Sequence, residues 1–317
     1  MSSLVNPEGP TFYFIGVTTG QSSSRRVFPL WMEALGREEV MLAGIDMEIH
    51  AEPARYRQVV AGIKAEPMAL GALVTTHKID LLAAAGDLFD DLGPFARATQ
   101  EVSSIAKDGG KLIGRATDPV AGGLSMDAIL GEDYFGRTGG ELLMLGAGGS
   151  AVALVLHLMQ KTKESDRPGR IVVVNRSAPR LARLREMVER TGVEGGREIQ
   201  FAYIQNNVAA RNDEIMAELT PGSVVVNATG MGKDTPGSPL TDSALFPRDG
   251  VAWELNYRGE LDFMQQAERQ MRSRGLTVAD GWAYFVHGWS QVISHVLHVE
   301  IDDVMFERLS GLAAGVR

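Results

Sequence analysis

The sequence contains no cysteine, which excludes disulfide bonds and thiolate metal sites outright. It has no surplus of basic charge. The formal net charge is -9, and this argues against general binding to nucleic acid. An anionic ligand therefore needs locally placed donors and not a basic field. No apolar run approaches the roughly 20 residues of a membrane span. The opening stretch, MSSLVNPEGP, reads as a loose leader without the charged and apolar regions of a signal peptide, and the expectation is a soluble, cytoplasmic protein. Neither a Ser-His-Asp nor a metal-ligand spacing is apparent, so no metal is expected. Repeats and low-complexity linkers are also lacking, so domains must be joined by structured segments, near Gly122 and again near Gly281.

What is present is ample apolar material. The 317 residues are 44% hydrophobic and 22% charged, which is enough for sizeable cores and suggests two domains of ordinary size. Glu141 to Leu158, ELLMLGAGGSAVALVLHL, is the most informative stretch. The apolar run Leu142 to Leu145 stops at Gly146-Ala147-Gly148-Gly149-Ser150-Ala151, and an apolar stretch of helical length follows. This reads as strand, tight turn and helix, and fits G-x-G-x-x-G/A with Gly146, Gly148 and Ala151 in the three positions. Gly146 permits the turn, Gly148 lets the backbone approach a pyrophosphate, and Ala151 lets the helix pack on the strand. The free N–H groups of the new helix face the phosphates.

Around this motif, strands and helices alternate. Before it, Thr11 to Val17, Val40 to Met47 and Ala69 to Val74 read as strands. A polar loop, TTGQSSSRR, follows the first, and helices are expected over Pro29 to Leu35, Pro53 to Lys64 and Ile79 to Ala85. Val102 to Ala106 and Lys111 to Arg115 are short strands, and Gly122 to Leu130 is a helix. After the motif come strands over Ile171 to Val174, Ile199 to Ile204, Ser223 to Val226, Val251 to Leu255 and Leu276 to Ala279. Helices are expected over Pro179 to Arg190, Asp213 to Leu219 and Leu261 to Arg274, with one or two closing helices from Gly281 to Val299. That order gives a mostly parallel α/β first half and a doubly wound nucleotide domain.

Several polar residues fall at strand ends, where ligands collect in open α/β sheets. Lys78 follows the strand ending at Val74, and position alone reads it as a solvated lysine at a helix start. Asp118, before Pro119, reads as a turn or cap aspartate. Asn175-Arg176-Ser177 and Arg180 stand where an NAD enzyme usually places an acidic residue. Two arginines without an acid there favour a 2′-phosphate, hence NADP over NAD.

Taken in order, these pieces resemble the shikimate dehydrogenase family over nearly the whole chain. The matching motifs are Gly16 with Ser22 and Ser24, Val74-Thr75-Thr76-His77-Lys78, Thr117-Asp118 with Gly122, GAGG, NRS, and Asn227-Ala228-Thr229-Gly230-Met231-Gly232. The resemblance implies an N-terminal α/β substrate domain over 1–121, to which C-terminal helices 281–317 return. It implies a Rossmann-type NADP-binding domain over 122–280, with a cleft between the two. The implied activity is an oxidoreductase reaction, reversible reduction of 3-dehydroshikimate to shikimate with NADPH, a step of aromatic amino acid biosynthesis. Lys78 and Asp118 become a catalytic pair, in which the lysine donates a proton and the carboxylate orients it. Ser22, Ser24, Thr75 and Tyr257 become substrate contacts, with Arg25 and Arg26 adding positive charge. Gly146 to Ala151 and Asn227 to Met231 become cofactor contacts, the second group on the nicotinamide side. Monomer and homodimer both remain open.

The same comparison exposes departures. Leu73, Ala116 and Gly288 stand where the family carries two asparagines and a glutamine that contact substrate. The segment from Val74 to Lys78 is one residue shorter than the family's and lacks its proline. Each buried substrate hydroxyl left unpaired costs on the order of 1–3 kcal/mol. His77, His287, Trp282 and Trp289 are candidates to reshape the pocket, although each histidine taken singly reads as structural. Quinate or another cyclic hydroxy acid is thus a close second substrate. A non-catalytic NADP-binding regulator is the alternative from another class.

Overall fold

The computed structural model describes residues 7–192, 198–233 and 235–316, so the first six residues of the expected leader lie outside it. The chain divides into two compact units, residues 1–117 with 286–317, and residues 118–285.

The first unit opens with β1 (Thr11–Gly16), α1 (Ser24–Ala34), β2 (Met41–Asp46), α2 (Pro53–Ala65), β3 (Ala69–Val74) and α3 (Lys78–Ala85). It continues with β4 (Asp91–Leu92), α4 (Pro94–Thr99), β5 (Ser104–Asp108) and β6 (Lys111–Arg115). These strands form one sheet in the order β2-β1-β3-β5-β6-β4. β1 pairs in parallel with β2 and β3, while β5 runs antiparallel to β3 and β6. The sheet is therefore mostly parallel with one reversed strand. β1 is buried along its whole length, as its run of aromatic and β-branched residues requires of a strand covered on both faces. One core packs Tyr56, Val59, Val60 and Ile63 of α2 and Leu81 of α3 against Tyr13, Ile15 and Val74 of the sheet.

α1 begins five residues before the expected start at Pro29. Val27, Phe28, Trp31 and Met32 are buried on one face, and this apolar stripe holds the first turn despite the proline inside the helix. The last three residues of the expected TTGQSSSRR loop, Ser24, Arg25 and Arg26, are thus the first turn of a helix. β4 and α4 were not expected; the strand is two residues long and too short to show alternation.

The second unit begins with α5 (Asp118–Leu130), α6 (Tyr134–Thr138), β7 (Leu142–Leu145), α7 (Gly149–Gln160), β8 (Arg170–Asn175), α8 (Ala178–Thr191) and β9 (Gln200–Gln205). It continues through α9 (Ala209–Ala217), β10 (Val224–Asn227), β11 (Val251–Glu254), α10 (Asp262–Glu268), α11 (Met271–Arg274) and β12 (Thr277–Ala279). The closing helices are α12 (Trp282–Leu297), which enters the first unit at Val286, and α13 (Asp303–Ala314), which lies beyond the expected closing segment. The second sheet has the order β12-β11-β10-β7-β8-β9, all parallel. This is the doubly wound dinucleotide-binding order, with β7 and β10 adjacent at the switch point. The single helix expected over Leu261 to Arg274 is broken in two. Arg269 caps the first helix and Gln270 is the N-cap of the second, its side-chain amide donating to the Ala244 carbonyl and its oxygen accepting from the Phe246 N–H. α5 starts at Asp118, four residues before Gly122.

Candidate functional site

The glycine-rich turn is built by backbone necessity. Gly146 has φ +119°, and a Cβ there would lie 2.5 Å from the Ala228 carbonyl oxygen. The turn and the start of the β10 exit loop thus touch backbone to backbone, which only glycine allows. Gly148, the N-cap of α7, has nothing within 4 Å of an added Cβ. Its open side, with Gly149 and Ser150 half-exposed behind it, leaves the first N–H groups of α7 accessible to an anion. Ala147 and Ala151 are both buried, the second fully, as the fingerprint's small residue at that place requires. The turn is cross-braced by Gly146 N–H to the Val174 carbonyl at 2.8 Å and by Ala228 N–H to the Leu145 carbonyl at 2.7 Å.

At the end of β8, the Asn175 side-chain amide donates to the Ser177 carbonyl at 3.3 Å, and Gln205 on the neighbouring strand donates to the Arg176 carbonyl. Ser177 precedes α8 without a side-chain cap bond. Arg176 and Arg180 are exposed. The chemistry of these donors, two cations and no acid, fits a 2′-phosphate.

The loop after β10 is a closed hydrogen-bond circuit. Asn227 Oδ1 accepts from the Thr229 N–H at 3.1 Å and the Thr229 hydroxyl at 2.6 Å, and the Thr229 oxygen accepts from the Met231 N–H at 3.1 Å. Gly230 and Gly232 take left-handed backbone on either side of Met231. Asn227 Nδ2 donates to Glu254 Oε2 at 2.6 Å, and Glu254 Oε1 accepts from the Asn256 N–H and side-chain amide at 2.8 and 2.6 Å. Burial pushes the Glu254 carboxyl up to about 7, against the lowering effect of these donors and of Lys233. Glu254 was not singled out from the sequence, although an acid closing the buried strand Val-Ala-Trp-Glu is itself a signal. Tyr257, half-buried, packs against Phe285 and Trp282, with ring centroids 4.6 and 5.6 Å away.

In the first unit, the Ser22 and Ser24 hydroxyls lie 2.7 Å apart, with Ser24 buried on α1 and Ser22 half-exposed. Thr19 ties their loop to β2 by donating its N–H and hydroxyl to Asp46 Oδ1 at 2.8 and 2.6 Å. Arg25 and Arg26 are exposed, and Arg25 lines a cavity of about 550 Å³ with Phe28, Met32 and Met41. Thr75 closes β3 onto β1, its N–H and hydroxyl both donating to the Ile15 carbonyl at 3.0 and 3.2 Å. Lys78 is the first residue of α3 and half-buried. A cation at a helix N-terminus opposes the macrodipole, so local helix stability does not account for it. Asp118 is buried in the first turn of α5, in the second unit, where a carboxylate favours the helix. The preceding Thr117 is fixed by Ser103, whose hydroxyl lies 2.9 Å from that of Thr117 and accepts the Thr117 N–H at 2.7 Å.

The residues expected to reshape the pocket divide. Trp289 is core, ringed by Phe12, Phe14, Phe28 and Trp31. His77 is buried, with Nδ1 3.1 Å from the Tyr56 hydroxyl, and burial lowers its pKa. His287 stacks on Phe306 at 4.0 Å. Trp282 supports Tyr257. Leu73 and Ala116 are buried and apolar, whereas Gly288 has open space where a side chain would begin.

Fold and turn together define the class, a two-unit α/β protein whose second unit is of the Rossmann dinucleotide-binding type. No family model matches the chain. It is 32% identical over 245 residues to the NADP⁺ shikimate dehydrogenase of Symbiobacterium thermophilum, covering 74% of this chain and 72% of that one. It is 25% identical over 279 residues to that of Methylobacterium radiotolerans, covering 88% of each. The chain belongs to the shikimate dehydrogenase family. Among solved structures, a shikimate dehydrogenase in complex with NADP⁺ matches 99% of this chain and 97% of its own, with a TM-score of 0.72 at 19% identity. The NAD complex of quinate dehydrogenase from Corynebacterium glutamicum also gives 0.72, at 21% identity and covering 97% of this chain and 99% of its own. These structural matches speak to the fold. Among the described residues, no helix is long and apolar enough to cross a membrane and no acidic or histidine cluster could hold a metal ion.

Proposed function

We propose that the protein is an NADP(H)-dependent oxidoreductase that interconverts 3-dehydroshikimate and shikimate. The observation carrying this reading is the switch-point turn, open at Gly148 and followed, at the next strand end, by Arg176 and Arg180 without an acid. Bound NADPH supplies the hydride. Gly148, Gly149 and Ser150 hold the pyrophosphate, the two arginines hold the 2′-phosphate, and Asn227 to Met231 hold the nicotinamide side. Lys78 donates a proton to the carbonyl oxygen as the carbon is reduced, and its charge stabilises the developing alkoxide. In the reverse direction the neutral lysine takes that proton back. Asp118 carries the complementary carboxylate, and Ser22 and Ser24 bind the substrate carboxylate, with Thr75 and Tyr257 completing its surroundings.

A related cyclic hydroxy acid such as quinate is the second reading, favoured by the apolar burial of Leu73 and Ala116. The test is turnover of shikimate and quinate, each with NADP⁺ and with NAD⁺. Shikimate with NADP⁺ is the expected best pair; faster quinate turnover transfers the reading to that acid, and failure of all four overturns both.

A further inference from the structure

Glu254 takes no part in the chemistry above, yet among the described residues it is the most deeply buried acid of the second unit, with no exposed surface. Its neighbours on β11, Val251, Ala252 and Trp253, are apolar and buried, so packing alone calls for no charge at this position. The groups that meet its two oxygens, Asn227 Nδ2, Asn256 N–H and Asn256 Nδ2, are all donors. Only a group that accepts at both oxygens satisfies three such donors, and an ionised carboxylate is that group. The same two asparagines also donate to the Met231 carbonyl, at 3.4 and 3.1 Å. One side chain therefore joins the loop after β10 to the turn carrying Tyr257.

We propose that Glu254 is a positioning residue, which as a carboxylate holds the Asn227–Gly232 loop in the shape that receives the nicotinamide half of the cofactor. The proposal rests on the NADP reading above. It separates two halves of the site: Glu254 governs the nicotinamide half, while the α7 turn and the arginines govern the adenosine half. It also makes the nicotinamide half sensitive to pH. Burial pushes Glu254 up to about 7. Lys233 is the charged group whose field reaches it, while Asn227 from β10, Trp253 on its own strand and Asn256 from the following turn are neutral. On taking up a proton, one oxygen becomes a donor facing N–H groups, and the loop loses part of its hold.

The test titrates NADPH and adenosine 2′,5′-bisphosphate, which lacks the nicotinamide, against the full chain, E254Q and N256A. The fragment is expected to bind all three proteins within about twofold, because its contacts are untouched. The advantage of NADPH over the fragment is expected to fall by about tenfold in E254Q and by less in N256A. In the wild type that advantage shrinks between about pH 8 and about pH 6, while in E254Q it stays level. An unchanged NADPH-to-fragment ratio in E254Q overturns the proposal. So does equal loss of both ligands, which would assign Glu254 to folding alone. Failure of the fragment to bind the wild type overturns the NADP reading itself.

Discussion

The hydroxyl oxygens of Ser22 and Ser24 lie 2.7 Å apart across the start of α1, close enough to face one carboxylate together. Ser22→Ala or Ser24→Ala should each raise the KM for the ring acid by about tenfold. The double variant should cost less than the product of the two, because the hydroxyls are coupled to each other. NADPH affinity should not change. Steady-state kinetics with both substrates varied checks all three expectations.

Arg176 and Arg180 follow a strand end that carries Asn175 in place of an acid. Removing both with R176A/R180A should raise the KM for NADP⁺ by about 10–100-fold and leave that for NAD⁺ nearly unchanged. Comparing the two cofactors in one assay separates loss of phosphate recognition from general damage.

Much of this architecture was legible in the residues. The period of apolar runs locates most strands, and Gly146, Gly148 and Ala151 identify the switch point; at Gly146 backbone proximity leaves few alternatives to glycine. In α1 Pro29 suggests a helix start, whereas the buried stripe from Val27 to Met32 holds an earlier turn. Trp289 looked like a pocket residue, but its neighbours Phe12, Phe14 and Phe28 lie far away in sequence. Glu254 closes the buried strand Val-Ala-Trp-Glu and meets the nearby Asn256, but its other donor, Asn227, comes from the end of β10, 27 residues away, and no local pattern announces that meeting.

Gly288 lies within α12 with nothing within 4 Å of an added Cβ. Gly288→Gln should therefore be accommodated and should stabilise the helix by about 0.5–1 kcal/mol. If the substrate's ring hydroxyl lies here, the amide gives it a partner and the shikimate KM should fall by about tenfold. Thermal unfolding checks the first effect and kinetics the second.

His295 is buried with its Nδ1 2.7 Å from the Ser104 hydroxyl, and burial lowers its pKa from 6.5 to about 4. The unfolded chain binds this proton first, so acidification from about 6.5 to about 4 should progressively remove up to about 3 kcal/mol of stability. Glu254 acts in the opposite sense. Its pKa is raised from 4.5 to about 7, so the folded state holds that proton longer and stability falls as pH rises across that window. Denaturant unfolding at several pH values should show His295→Gln flattening the acid-side slope.

The most direct test follows NADPH formation by its near-ultraviolet absorbance, with purified protein, NADP⁺ and shikimate, beside a Lys78→Ala control. The account predicts turnover in the wild type and a loss of about 10²–10⁴-fold in kcat without Lys78, with NADPH still bound. Equal turnover with and without Lys78, or no turnover of any ring acid despite tight NADPH binding, would contradict it.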